Sequence, residues 1–197
     1  MRYLSIDIET TGLERDCYLI EFAAIPFDSI KKKIENDLSF HSYIECPPFE
    51  KLRPRLDHWV IEHNQKLIDK AAQSGISLDT FKQKFVTYLQ SESIQNYFYK
   101  DKIFLFGKSL SALDLPILNR DLENSFMQKY FSHKVMDLSC FAMGLIDLGL
   151  LPADHHSSSA LLQHFSLGEV PHTALEDATI MAQIYLRLLQ SVKTSLL

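Results

Sequence analysis

The sequence predicts an α/β fold, with one mixed sheet and helices packed on it. Three observations carry this. Three apolar stretches, rich in β-branched and aromatic residues, open the chain with short connections between them. Helical periodicities then alternate with short apolar runs. A long amphipathic stretch closes the chain.

Residues 3–8 read as the first strand, with Ile6 and Ile8 on one face and Ser5, Asp7 and Glu9 on the other. Thr10, Thr11 and Gly12 supply the turn chemistry that ends it. Residues 18–27 form a second strand, and the basic run Lys31 to Lys33 reads as a solvated hairpin turn. Residues 40–44 form a third, stopped by Pro47 and Pro48. Short connections make these three an antiparallel meander. Leu56, Trp59, Val60, His63 and Leu67 then follow helical spacing, as do Leu78, Phe81, Phe85, Tyr88 and Leu89 behind a Ser77 cap. Residues 103–106 are a short buried strand closed by Gly107. Residues 113–122 are helical, with Pro116 tolerated only in a first turn. Residues 135–138 make a fifth strand, and 141–150 and 157–165 two more helices. The last helix, residues 174–189, opens with a Thr173–Glu176 capping-box pattern.

A chain of 197 residues without repeat or linker reads as a single domain, residues 1–197. Apolar residues at 46% and charged residues at 23% are ordinary for a globular chain able to bury its own core. With 6 Gly and 7 Pro, collagen-like and low-complexity readings are excluded. Cys17, Cys46 and Cys140 are odd in number and widely spaced, so they form neither a disulfide framework nor a zinc motif. Reduced thiols and a cytoplasmic location are expected. No apolar run approaches the roughly 18 residues of a membrane helix, and Asp7 and Glu9 interrupt the place of a signal sequence. A net charge of -5 argues against nucleic-acid binding through bulk positive charge.

The chemistry concentrates in three places. Asp7 and Glu9, two apart on a strand, point to one face with their Cα atoms roughly 7 Å apart, at the strand end where open sheets place ligands. Two like charges side by side are costly unless a cation shares them, although both could simply face solvent. His172 precedes the capping box, and Asp177 falls in the first helical turn. A loop position lets the imidazole fold back toward Asp177, whereas two helical residues five apart would diverge by about 140°. The helix dipole alone would also favour Glu176 and Asp177 there. Asp114 stands near a helix start after the strand at 103–106, a common place for an ordinary acid.

Together these segments resemble the three motifs of the DnaQ-like, or DEDDh, 3′–5′ exonucleases. The stretch Ile6, Asp7, Ile8, Glu9, Thr10, Thr11, Gly12, Leu13 resembles the first, residues 107–118 around Asp114 the second, and His172 to Ala178 the third. Order and separation agree over nearly the whole chain. The family includes polymerase proofreading subunits, RNase T and oligoribonuclease. The resemblance implies a ribonuclease H-like fold with a five-stranded mixed sheet flanked by helices. It implies two divalent ions, Mg²⁺ or Mn²⁺, held by Asp7, Glu9, Asp114 and Asp177, and His172 as general base. Two such ions would raise the formal charge from -5 to -1. The implied partner is the 3′ end of a single-stranded nucleic acid; a homodimer is also expected, as several relatives dimerise.

Leu13 matches a family position that wedges against terminal bases, with core packing as the alternative. Thr10 and Thr11 would present backbone N–H groups to the terminal sugar, and Gly12 beside them is a further substrate-binding candidate. Trp59 leads Phe40 and Tyr130 as an aromatic platform for bases. Lys108, where the family usually carries asparagine or histidine, either meets phosphate or lies on the surface. His133 stands where oligoribonucleases carry tyrosine, while residues 157–168 resemble the proofreading branch, so the branch stays open. A dehalogenase-type phosphatase, suggested by Asp7 to Thr11, leaves His172 and Asp177 unexplained. A non-catalytic nucleic-acid-binding module on the same fold would leave the clustered carboxylates repelling one another to no purpose.

Overall fold

The computed structural model describes residues 1–14, 16–168 and 173–195. Strand β1 (Arg2–Thr10) is central, and its alternation sorts it between two cores. β2 (Leu19–Asp28) runs antiparallel to it, with Tyr3 opposite Phe27, Asp7 opposite Ala23 and Glu9 opposite Glu21. β3 (Lys33–Ile34) and β4 (Phe40–Tyr43) both pair antiparallel with the far edge of β2. A 3₁₀ turn at Asn36–Leu38 separates them.

The chain then turns helical: α1 (Phe49–Leu52), a 3₁₀ turn, α2 (His58–His63), α3 (Gln65–Ser74), α4 (Leu78–Gln90) and α5 (Glu92–Tyr97). β5 (Leu105–Gly107) returns parallel to β1 and is followed by α6 (Asp114–Leu122) and α7 (Asn124–Tyr130). β6 (Met136–Asp137) lies parallel to β5, and α8 (Leu138–Asp147), α9 (Ser158–Phe165) and α10 (Ala174–Ser195) complete the chain. The strand order is β3-β2-β1-β5-β6 with β4 also on β2.

The sheet is mixed, as expected, but among the described residues it has six strands where five were predicted. The extra one arises because the outer edge is interrupted: a two-residue piece pairs with Phe27 and Asp28 before the turn, and β4 resumes further along β2. Two residues are too few to register as an alternating pattern. The helix expected across Leu56 to Leu67 is split at Asn64, whose φ of −105° and ψ of 3° break the helical path. Ser77 caps α4 as expected, accepting a hydrogen bond from the Thr80 N–H at 3.2 Å. α8 starts earlier than predicted because Asp137 caps it, accepting from the Ser139 N–H at 2.9 Å.

One face of the sheet buries Leu4 and Ile6 against Phe22, Phe81 and Phe85 in an aromatic-rich core under α4 and α6. The other buries Tyr3, Phe27 and Phe106 against Tyr185 and Leu188 of α10. On that second face the Ser5 hydroxyl donates to the Ala178 carbonyl at 2.6 Å, and both atoms are out of water. A single such bond contributes only about 1 kcal/mol, but leaving it unmade would cost more, so it fixes where α10 crosses β1. Two residues further along β1, Asp7 and then Glu9 emerge on the same face beside the first turn of α10. A third cluster, around Ile20, Phe49, Leu52, Val60 and Ile68, seats α1, α2 and α3 at the side of the sheet and carries Trp59. Among the described residues no helix is long and apolar enough to cross a membrane.

Candidate active site

Period-two alternation puts Asp7 and Glu9 on the α10 side of β1, and the capped start of α10 puts Asp177 opposite them. One carboxylate oxygen from each of Asp7, Glu9 and Asp177 falls within 4.8 Å of the others. Thr173 and Glu176, the expected capping pair, bond to each other through their side chains at 2.7 Å, and the Thr173 carbonyl accepts from the Asp177 N–H at 2.9 Å. Asp114 opens α6 and is buried beside the trio without joining the closest group. The Ile8 N–H donates to its carboxylate, tying the start of α6 to β1.

The electrostatics follow from this crowding. Burial, then the charges of Asp114, Glu9, Asp177 and Glu21, push the Asp7 carboxyl well above its ordinary range. Burial and the charges of Asp177, Glu21 and Asp114 raise Glu9 to about 7. Asp114 is raised to about 7, mainly by burial against the opposing pull of its backbone hydrogen bonds. Asp177 is raised to about 7 by burial, Glu176 and Glu21, with Lys108 pulling the other way. Carboxyls this close resist ionising together unless positive charge is supplied. The donor set is all oxygen, which suits hard ions such as Mg²⁺ or Mn²⁺.

A cleft of about 690 Å³ surrounds the trio. Of the residues singled out from sequence, Asp7, Glu9, Thr10, Gly12, Leu13, Trp59, Lys108, Asp114 and Asp177 line it. Leu13 is 78% exposed at its rim, which rules out the core-packing alternative. Trp59 is 57% exposed and stacks on His63 with centroids 4.7 Å apart. Lys108 is half-buried on a loop that the Asp137 carboxylate holds by accepting from the Ser109 N–H at 3.1 Å.

Three expectations need correction. Thr11 is buried away from the cleft, and its N–H donates to the Tyr18 carbonyl at 3.0 Å, so it has none to offer a sugar. Phe40 packs into the core with its ring 5.1 to 6.2 Å from those of Phe22, Phe81, Phe85 and Tyr88. Tyr130 lies in a separate groove, under Lys129 and bonded to Gln90. His172 lies outside the described residues. Sequence reasoning missed Glu21, a fully buried acid opposite Glu9, although one acidic residue inside an otherwise apolar strand was a readable signal.

The RNase T family model, described as "Exonuclease", matches residues 4–185. No curated protein sequence matches. Among solved structures, cell-death related nuclease 4 superposes with a TM-score of 0.65 at 19% identity, over 96% of this chain and 64% of that one. This chain thus spans just under two thirds of that protein. The nuclease domain of 3′hExo, a DEDDh family member bound to rAMP, gives 0.64 at 18% identity, over 96% of this chain and 92% of that one. The RNase domain of yeast Pop2 gives 0.66 at 15% identity, over 95% and 76%. At these identities the likeness speaks for the fold, a ribonuclease H-like one.

Proposed function

The chain belongs to the RNase T exonuclease family, of DEDDh type, and we propose that it is a metal-dependent 3′–5′ exonuclease of single-stranded RNA or DNA. The observation that carries this is the convergence of Asp7, Glu9 and Asp177 within 4.8 Å, with Asp114 beside them, in an open cleft. The all-oxygen set fits hard divalent ions, and Asp7, Glu9, Asp177 and Asp114 would together hold two of them, Mg²⁺ or Mn²⁺. When bound, such ions offset the phosphodiester charge and acidify a coordinated water. His172 takes the proton of the attacking water as general base, a task that suits an imidazole near neutral pH. Leu13 wedges at the terminal bases, Trp59 offers them a flat face, and Lys108 meets a phosphate. Thr10 and Gly12 shape the turn at the 3′ end, with the Thr10 hydroxyl tied to the Gly12 carbonyl at 2.6 Å. Nucleoside 5′-monophosphates leave one at a time. Residues 1–197 act as a single exonuclease domain, the three free cysteines fit a cytoplasmic setting, and a homodimer is part of the reading.

Incubation of 5′-labelled RNA and DNA oligomers with Mn²⁺ is expected to give a stepwise ladder that chelator abolishes. Hydrolysis of a simple phosphate monoester with both polymers left intact would overturn the reading. Trp59→Ala is expected to raise KM by about 5- to 160-fold, since stacking contributes about 1–3 kcal/mol per base, with kcat within about threefold of wild type. An unchanged KM in steady-state kinetics would remove Trp59 from the substrate path.

A further inference from the structure

Of the two acids buried on β2, Asp28 is held by the Ile30 and Lys31 N–H groups and Arg2, whereas Glu21 has no such set of donors. It is fully buried, yet carries a carboxylate in a strand that is otherwise almost wholly apolar. Its Oε1 is held by the ring Nε2 of His41, on the neighbouring strand, at 2.6 Å. Its Oε2 is out of water with no hydrogen-bond partner among the described residues. A buried, unpartnered carboxylate oxygen is among the more costly features a fold can carry. Register says where it stands: Glu21 is directly opposite Glu9, on the face of the sheet that also presents Asp7. Its charge acts on Asp7, Glu9 and Asp177. Those neighbours are all acids, and once a divalent ion has displaced their protons none can donate to Oε2. Among the described residues the nearby basic groups are already engaged, His41 with Oε1 and Lys70 over the Tyr43 ring, whereas water in an ion's own shell is a donor that can meet Oε2.

We propose that Glu21 is a positioning residue of the divalent-ion site, its Oε2 accepting a hydrogen bond from water carried by the ion while His41 fixes the side chain. This rests on the proposed function and adds a fifth acid that touches the ion only through water. Outer partners of this kind orient what the direct ligands hold, and their loss weakens metal binding about 10- to 100-fold. The Glu21–His41 pair could instead be purely structural, or act by charge alone, and the three cases separate by experiment.

Mn²⁺ affinity of the intact chain, without nucleic acid, is read by the paramagnetic signal of free Mn²⁺ at pH 8 for wild type, Glu21→Gln and His41→Gln. Glu21→Gln is expected to weaken binding about 10- to 100-fold. His41→Gln keeps the Glu21 charge but frees the side chain, and is expected to weaken binding by about threefold or more. If charge alone mattered, removing a basic neighbour would leave cation binding unchanged or tighter. Wild-type affinity in Glu21→Gln, or unchanged or tighter binding in His41→Gln, overturns the inference and leaves the proposed function standing. If Glu21→Gln does not fold, His41→Gln decides alone. A wild-type chain that takes up no Mn²⁺ brings down both readings.

Discussion

Asp7→Asn is expected to lower the hydrolytic rate by at least about 10³-fold and, in the same protein, to raise the melting temperature of the metal-free chain. Both effects come from one cause. Asp7 sits where burial and four other acids disfavour its charge. That environment suits a carboxylate with a cation between it and its neighbours, and is hostile to it otherwise. On the proposed function, an ion held by Asp7 would stabilise the developing charge of the reaction by several kcal/mol, and each 1.36 kcal/mol is a factor of ten in rate. Asparagine keeps the shape and removes the charge. Without metal at pH 8, the relief is expected to raise the melting temperature by about 5 °C, as about 1 kcal/mol moves a chain of this size by about 2–4 °C. At pH 5 the gain should shrink, because the wild-type carboxyls are then protonated in any case. Calorimetry with chelator at the two pH values checks this. A melting temperature lowered by Asp7→Asn at pH 8 would mean that Asp7 has a structural partner.

The second large effect is the pH dependence of wild-type stability. Glu9, Asp114 and Asp177 are each raised to about 7, whereas unfolded carboxyls titrate near 4. Between those values the native state holds more protons than the unfolded one, so stability falls as pH rises. The metal-free chain is therefore expected to lose several degrees in melting temperature between pH 5 and pH 8, and little more above that. Asp28 works in the opposite direction: despite its burial, the Lys31 and Ile30 N–H groups and Arg2 hold it below its ordinary value. Its contribution is present above the unfolded value and is lost only as pH falls below about 4. The two windows meet near pH 4 without overlapping, so the stability of the metal-free chain is expected to peak near there. Saturating Mn²⁺ should restore the loss at pH 8, since a ligand at 100 times its Kd stabilises by about 2.7 kcal/mol and competes with protons for the same oxygens. A metal-free melting temperature that rises from pH 5 to pH 8 would contradict the electrostatic account of the cleft.

What was legible in the sequence was what depends on local pattern. The alternation of residues 3–8 put Asp7 and Glu9 on one face, and Thr173 with Glu176 marked the start of the helix bearing Asp177. Asp114 was legible as a helix-start acid next to a strand end. What failed depended on partners distant in sequence. Thr11 looked available because nothing local reveals that Tyr18 takes its N–H. Phe40 looked like a platform because the rings that enclose it come from β2 and α4. The sixth strand is a two-residue bridge, made by pairing rather than by propensity. Glu21 needed the β1–β2 register before its place beside Glu9 could be seen. Leu13 went the other way: sequence left it between wedge and core, and its exposure at the cleft rim decides against the core.

The most direct measurement uses an RNA or DNA oligomer labelled in its 3′-terminal nucleotide, mixed with the chain and Mn²⁺ and sampled before much substrate is consumed. A labelled nucleoside 5′-monophosphate is the expected first product, with none in chelator or from Asp7→Asn. Labelled fragments of intermediate length, or release that persists without metal, would contradict the proposed function.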